Sequence, residues 1–214
     1  MSVAARRTRL PRAERARQVL AAAARAFARS GYAATSMDDI AAEAGISKLM
    51  LYRDFDGKRE LYVAVLEGLQ RRLAELVGDD PEGGASVRGL AALVRVAREQ
   101  PDAFVLLFRH AAREPEFAAW ADRFLDASVA RAEERLAREL ADPVLVRWSA
   151  RVAVHATIEA VIAWLQVGDP ARDEAFLAAL EATPVSRISP ASWPERVAAA
   201  VQRHESNPGI GNKE

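Results

Sequence analysis

Cysteine is missing altogether from the 214-residue chain. Its absence excludes a disulfide framework and any thiolate metal site. Histidine is nearly as scarce, at three scattered residues. No glycine-rich phosphate loop of the GxGxxG or GxxxxGK type occurs, and no nucleophile stands in a recognisable pairing with a base. An enzyme is therefore not expected, and no cofactor is implied. No apolar run approaches the length of a membrane span. The Arg-rich, then Ala-rich N-terminus is interrupted by charges and lacks a small-residue cleavage site, so it reads as neither signal peptide nor anchor. A cytoplasmic protein that binds no membrane is the expectation.

Net charge is also absent, since 30 Lys+Arg balance 30 Asp+Glu. The balance hides an asymmetry. Residues 1–76 hold 14 Lys+Arg against 9 Asp+Glu, a net of +5, and the remaining 138 residues carry a net of −5. A basic head on an acidic body points the head at a polyanion. Half the residues are hydrophobic and 28% are charged, the composition of a folded chain.

Alanine, leucine, arginine and glutamate dominate, and β-branched residues never fall into strand-like alternation, so the fold class is all-α. From Arg12 to about Arg29, Val19, Leu20, Ala23, Ala24 and Phe27 recur at helical spacing, and Gly31 supplies the stop. A short second helix begins in "TSMDDIAAEAG", where Ser36 and Asp39 have the spacing of a capping box and Gly45 ends the run. Ser47 caps a third helix reaching about Arg53, and Asp56 is placed to cap a fourth from Lys58 to about Val77. "GDDPEGGAS" at 78–86 is the clearest break. Beyond it, helices are expected over 86–99, 101–113, 115–140, 143–167 and 171–182. A loop and a short helix to about His204 then lead into a tail.

Two short helices joined by "AGI", the second exposing polar and apolar side chains together, form a helix-turn-helix pattern. Within it the spaced residues "GY..TS...IA..AGIS" (Gly31, Tyr32, Thr35, Ser36, Ile40, Ala41, Ala44 to Ser47) and "SK..LY..F..K..L" (Ser47, Lys48, Leu51, Tyr52, Phe55, Lys58, Leu61) occur. This run closely resembles the N-terminal domain of the tetracycline-repressor (TetR/AcrR) family of regulators. It departs from the family pattern twice: Leu49 stands where the family most often has Gly, and Asp54 where it often has His.

The chemistry of the head assigns roles. Lys48, Tyr52 and Lys58 suit phosphate contacts, as do Thr35 and Ser36 at the start of the second helix. Arg53 can reach a phosphate or a guanine edge, and Leu49 or Met50 a thymine methyl; Ser47 completes the DNA-facing set. Asp54 would be repelled by phosphate, so pairing with Arg53 or Lys58, or acceptance from a backbone amide, is its alternative use. Leu51 and Phe55 read as core. The flexible arm with Arg6, Arg7, Arg9 and Arg12 serves equally as a backbone tracker or as a solubilising tail.

The resemblance implies an N-terminal three-helix domain with its helix-turn-helix, followed by a helical effector-binding and dimerisation domain. The boundaries are a basic arm at 1–11, the helix-turn-helix domain at 12–56, a connecting helix at 57–77, the effector and dimerisation domain at 78–205 and a tail at 206–214. The resemblance also implies a homodimer through the helices at about 143–167 and 171–182; the first of these is apolar nearly all round, which suits such an interface or the buried central helix of a monomer. An effector pocket would draw on Phe104, Leu107, Phe108 and His110, on Phe117, Trp120 and Phe124, and on Trp148, His155 and Glu159. Aromatic stripes of this kind are more often plain core, and one His–Glu pair lacks the ligand count of a metal site. The function implied is a ligand-responsive homodimeric repressor that binds a pseudo-palindromic double-stranded operator and is released by a small, largely apolar effector. An all-α enzyme and an architectural nucleoid protein remain as alternatives.

Overall fold

The computed structural model describes residues 11–77 and 87–182. Nine α-helices run through them in the order α1 Arg12–Ala34, α2 Met37–Ala44, α3 Lys48–Asp54, α4 Lys58–Val77, α5 Val87–Glu99, α6 Pro101–Val105, α7 Ala118–Leu136, α8 Pro143–Val167 and α9 Asp173–Ala182. No strand occurs among the described residues, and the all-α class holds. The expected loop and helix between 183 and about 204, most of the basic arm and the tail lie outside the described residues.

Described residues cluster into two compact units. One comprises 11–77 and 92–123, the other 87–91 and 124–182. In sequence, residues 78–86 lie between α4 and α5, whereas the packing groups most of α5 and all of α6 with the head.

In the first unit, α1 packs against α2, α4 and α6. Val19, Ala22, Ala23, Ala26 and Phe27 form its buried stripe, and Leu61, Tyr62, Leu66 and Leu69 of α4 are buried completely. Each large apolar side chain withdrawn from water here contributes about 1.5–3 kcal/mol. Phe27, Tyr32, Tyr62 and Phe117 form one aromatic cluster, with Tyr62 stacked on Phe117 at 4.2 Å between ring centres. Burial raises the Tyr62 phenol above its ordinary pKa.

Gly31 interrupts α1 at φ 78°, ψ 164°, a region essentially reserved for glycine. The break frees carbonyls at the helix end, and side chains satisfy them. Thr35 Oγ1 lies 2.7 Å from the Gly31 carbonyl and 3.2 Å from that of Ala26, sharing its single proton between them. Lys58 Nζ donates to the Tyr32 and Ala33 carbonyls at 2.8 and 3.2 Å.

Local chemistry sets α2 and α3. The Ser36–Asp39 capping box is complete, with Asp39 N–H donating to Ser36 Oγ and Ser36 N–H donating to Asp39 Oδ2. The Ser36 hydroxyl, which donates to Asp39 Oδ2 at 2.6 Å, and the Ser36 N–H hold the Asp39 carboxyl below its ordinary pKa. Its contribution is therefore present above the ordinary carboxylate range and fades as pH falls through the lowered value. Ser36→Ala should cost about 0.5–2 kcal/mol, read as a fall in denaturation midpoint. A loss too small to measure would remove the box from the account. Gly45, at φ 65°, closes α2 in a Schellman motif: its N–H donates to the Ala42 carbonyl and that of Ile46 to Ala41, both at 3.1 Å. Ser47 Oγ then accepts from Met50 N–H.

Other expectations need correcting. Asp56 does not cap α4, which begins directly after Gly57; instead its N–H donates to the Glu60 carboxylate. The single helix expected over 101–113 is α6 followed by a π-helical turn, Leu106–His110, and a 3-10 turn, Ala111–Arg113. Pro115 sits in a turn, so α7 starts at Ala118 rather than 115 and stops at Leu136.

In the second unit, Val129, Ala132 and Leu136 of α7 pack on Val146 and Ala150 of α8. Asp142 caps α8, its Oδ1 accepting from Val144 N–H at 2.8 Å. Trp164 lies parallel to Phe176 of α9 at 4.7 Å and donates its indole N–H to Asp173. Gly168 is required next to it, because a Cβ there would fall 2.3 Å from the indole. The 25-residue α8 is long and apolar enough to cross a membrane by length and composition, contrary to the expectation that no run would be. Arg147, Arg151, His155 and Glu159 nevertheless punctuate it, and one of its faces is spent on α7.

Candidate nucleic-acid interface

The seven-residue α3 is anchored by Leu51, which is wholly buried, while Phe55 just beyond it is half-buried. Around that anchor the helix displays its other side chains. Leu49 is 82% exposed and Tyr52 45%; Lys48 and Arg53 are exposed and Met50 is half-buried. Positions 48 and 52, and 49 and 53, each lie four apart, so the four residues cover one continuous helix surface. An apolar side chain left this open on a short, well-capped helix contributes nothing to the fold of its own unit.

The cations of this surface are paired. Lys48 Nζ donates to Asp38 Oδ2 at 2.8 Å, a bond that raises the Lys48 pKa. Arg53 Nε and Arg15 Nε both donate to Asp54, each at 3.4 Å. Those arginines, Arg53 foremost, hold the Asp54 carboxyl below its ordinary value. Asp54 thus pairs with Arg53 as one of its expected alternatives, and with Arg15 rather than Lys58.

Two side chains expected at the nucleic acid are used otherwise. Thr35 is 2% exposed and its hydroxyl is committed to the end of α1. Lys58 directs its ammonium at two carbonyls and at the Tyr32 ring, 4.5 Å from its centre. Ser36 and Ser47 are exposed at the N-termini of α2 and α3, with their hydroxyls engaged in capping. The structure therefore brings Ser36, Ser47, Lys48, Leu49, Tyr52 and Arg53 to the surface and turns Thr35 and Lys58 into braces. Asp38 and Arg15 were missed. Asp38 lies ten residues from its partner and Arg15 thirty-nine from Asp54, so neither pairing leaves a local sequence signal.

Asp38 competes with phosphate for Lys48. Asp38→Asn should raise affinity for unrelated duplex DNA roughly two- to fivefold at low salt, measured by fluorescence anisotropy. Unchanged or weaker binding would show that the pair does not restrain Lys48.

The residues expected to line an effector pocket are divided between the two units. Phe104 and Leu107 are buried in the first unit, with Phe108 against Phe104 at 4.6 Å; His110 and Trp120 are half-buried there. Phe117 is a correction in kind, since its ring closes the aromatic cluster of the head. Phe124, Trp148, His155 and Glu159 belong to the second unit. Trp148 is 47% exposed, and His155 and Glu159 are exposed on α8. The Nδ1–H of His155 donates to the Arg151 carbonyl one turn back, at 2.8 Å, an intrahelical use rather than a ligand contact. Among the described residues, no three His, Cys, Asp or Glu side chains are grouped as metal ligands.

Comparison with known proteins converges on the same segment. Residues 19–65 match the model of bacterial regulatory proteins, tetR family. The HTH-type transcriptional activator FasR of Mycolicibacterium smegmatis is 51% identical over 72 residues, which cover 34% of this chain and 32% of that protein. The chain thus spans about a third of the length of that relative. A TetR-like transcriptional regulator from a Rhodococcus species is 26% identical, with a TM-score of 0.62 over 83% of this chain and 96% of its own. AibR, solved in complex with isovaleryl coenzyme A and operator DNA, has the same fold at 21% identity and a TM-score of 0.60, over 82% of this chain and 98% of its own. Residues 19–65 thus carry the helix-turn-helix of bacterial regulatory proteins, tetR family, and the helical fold is similar to that of the TetR-like regulator from Rhodococcus.

Proposed function

We propose that the protein is a homodimeric transcription regulator that binds a pseudo-palindromic operator through α2 and α3 and acts in the cytoplasm as a repressor. The observation that carries the reading is the outer surface of α3. Leu49, at 82% exposure, stands among Lys48, Tyr52 and Arg53 on a helix fixed by two caps and a buried Leu51. Such a surface offers apolar contact for thymine methyls, with cations for phosphate or a guanine edge.

Two copies are needed because one seven-residue helix reads few base pairs. A dimer would set its recognition helices about 34–36 Å apart, one turn of duplex. The open apolar side of α8, with Val144, Leu145 and Trp148 exposed, supports α8 and α9 as the faces that meet. A small, largely apolar effector would release the operator by binding more tightly to the conformation with the wrong head spacing. AibR, a protein of the same fold, was solved with isovaleryl coenzyme A, whose acyl end is apolar although its coenzyme A part is charged. The name of FasR favours a second reading, activation, because similar heads can serve either sign of control. DNase footprinting of the DNA flanking the protein's own gene tests the proposal. Protection of an inverted repeat is expected. Protection of nothing, or of everything equally, would refute it, and a promoter fusion in cells gives the sign.

A further inference from the structure

A cleft of about 290 Å³ opens between the start of α1 and the end of α3, and Arg12, Arg15, Arg53 and Asp54 line it. Three positive groups face one negative group. Arg15 and Arg53 each direct only Nε at Asp54, one of the five N–H donors that a guanidinium carries. Their terminal nitrogens keep their donors for a ligand. The Arg15 side chain is 12% exposed and that of Arg53 50%, so one is fixed in the wall and the other reaches outward. Arg12 is exposed and makes no ion pair among the described residues. Pro11 gives α1 no side-chain cap, so first-turn amides of a 23-residue helix add their partial positive charge. Glu14 stands in the same turn but does not line the cleft.

We infer that this cleft is a phosphodiester site, in which Arg12, Arg15 and Arg53 take a backbone phosphate of the duplex whose groove α3 enters. The inference rests on the regulator reading above and adds to it. It also resolves why an acid is tolerated at position 54. The carboxylate is outnumbered, and it ties together two arginines contributed by different helices.

The test is operator and scrambled-duplex binding across a range of salt, with full-length wild type, Arg12→Gln and the Arg12→Gln/Arg15→Gln double variant. The slope of log affinity against log salt should become shallower by about 1 for the double variant, because one phosphate is neutralised in the cleft, and by part of that for the single variant. Both duplexes should lose affinity by the same factor, since phosphates carry no sequence. Arg12→Gln removes no ion pair among the described residues, so it stays informative if loss of Arg15 disturbs folding. Unchanged slopes in both variants, beside a salt-dependent wild type, would overturn the cleft and leave the regulator standing. A wild type that binds neither duplex overturns both. Inorganic phosphate bound by wild type but not by the double variant, with DNA slopes unchanged, would assign the cleft to free phosphate and overturn the DNA contact.

Discussion

Phe27→Ala should destabilise the head by about 3–5 kcal/mol, lowering its denaturation midpoint without moving any residue of the candidate interface. Phe27 is 0% exposed. It meets Tyr62 edge-on at 5.0 Å and lies 6.0 Å from Tyr32, and both of those rings lean on Phe117. Truncation removes the apolar burial and leaves a void beneath three rings that cannot all collapse into it. Edge-to-face pairs add about 0.5–1.5 kcal/mol each beyond their buried area. Arg25→Ala is the internal contrast: its exposed ion pair with Glu43 should register close to zero by the same measurement. A Phe27→Ala midpoint within 1 kcal/mol of wild type would show that the aromatic cluster is not the keystone of this unit.

Trp148→Asp should dissociate the proposed dimer and, with it, operator binding. Trp148 is 47% exposed on α8, beside Val144 at 60% and Leu145 at 38%. The opposite side of the helix is fixed through Val146 and Ala150 against α7. Central tryptophans of an interface typically cost at least 2 kcal/mol when truncated, about thirtyfold in dissociation constant. A buried, unpaired carboxylate adds to that loss. Because Trp148 is half in water within its own chain, the fold should survive, as far-ultraviolet circular dichroism would report. Sedimentation at several concentrations reads the outcome. An unshifted dimer would place the contact elsewhere, and a wild-type monomer would remove it from the account.

The head was legible because its signals are local. Ser36 and Asp39 are three residues apart, Gly45 follows its helix directly, and Ser47 precedes the one it caps, so each motif fits inside a short window. What the sequence concealed was the destination of side chains whose partners are distant. Thr35 and Lys58 carry the right chemistry for phosphate, yet they close the break that Gly31 makes in α1. Phe117 lies far along the chain but packs with Tyr32 and Tyr62, which no periodicity announces. Arg15 reaches Asp54 across 39 positions. The candidate effector residues could not be sorted from the sequence for a physical reason: an aromatic stripe has one sequence pattern whether it lines a cavity or fills a core. In α6 the fully buried Phe104 fills. On α8, by contrast, Trp148 stays half in water.

The claim that matters most is that α3 reads bases. It is tested most directly by titrating purified full-length wild type and Leu49→Ala against DNA from the protein's own promoter and against a scrambled duplex of equal length, at several salt concentrations. Wild type should prefer the promoter duplex at every salt concentration. Leu49→Ala should lose affinity for that duplex alone, leaving scrambled binding and the salt slope unchanged, since a methyl contact involves no phosphate. Equal affinity of wild type for both duplexes, or a variant that weakens both alike, would contradict it.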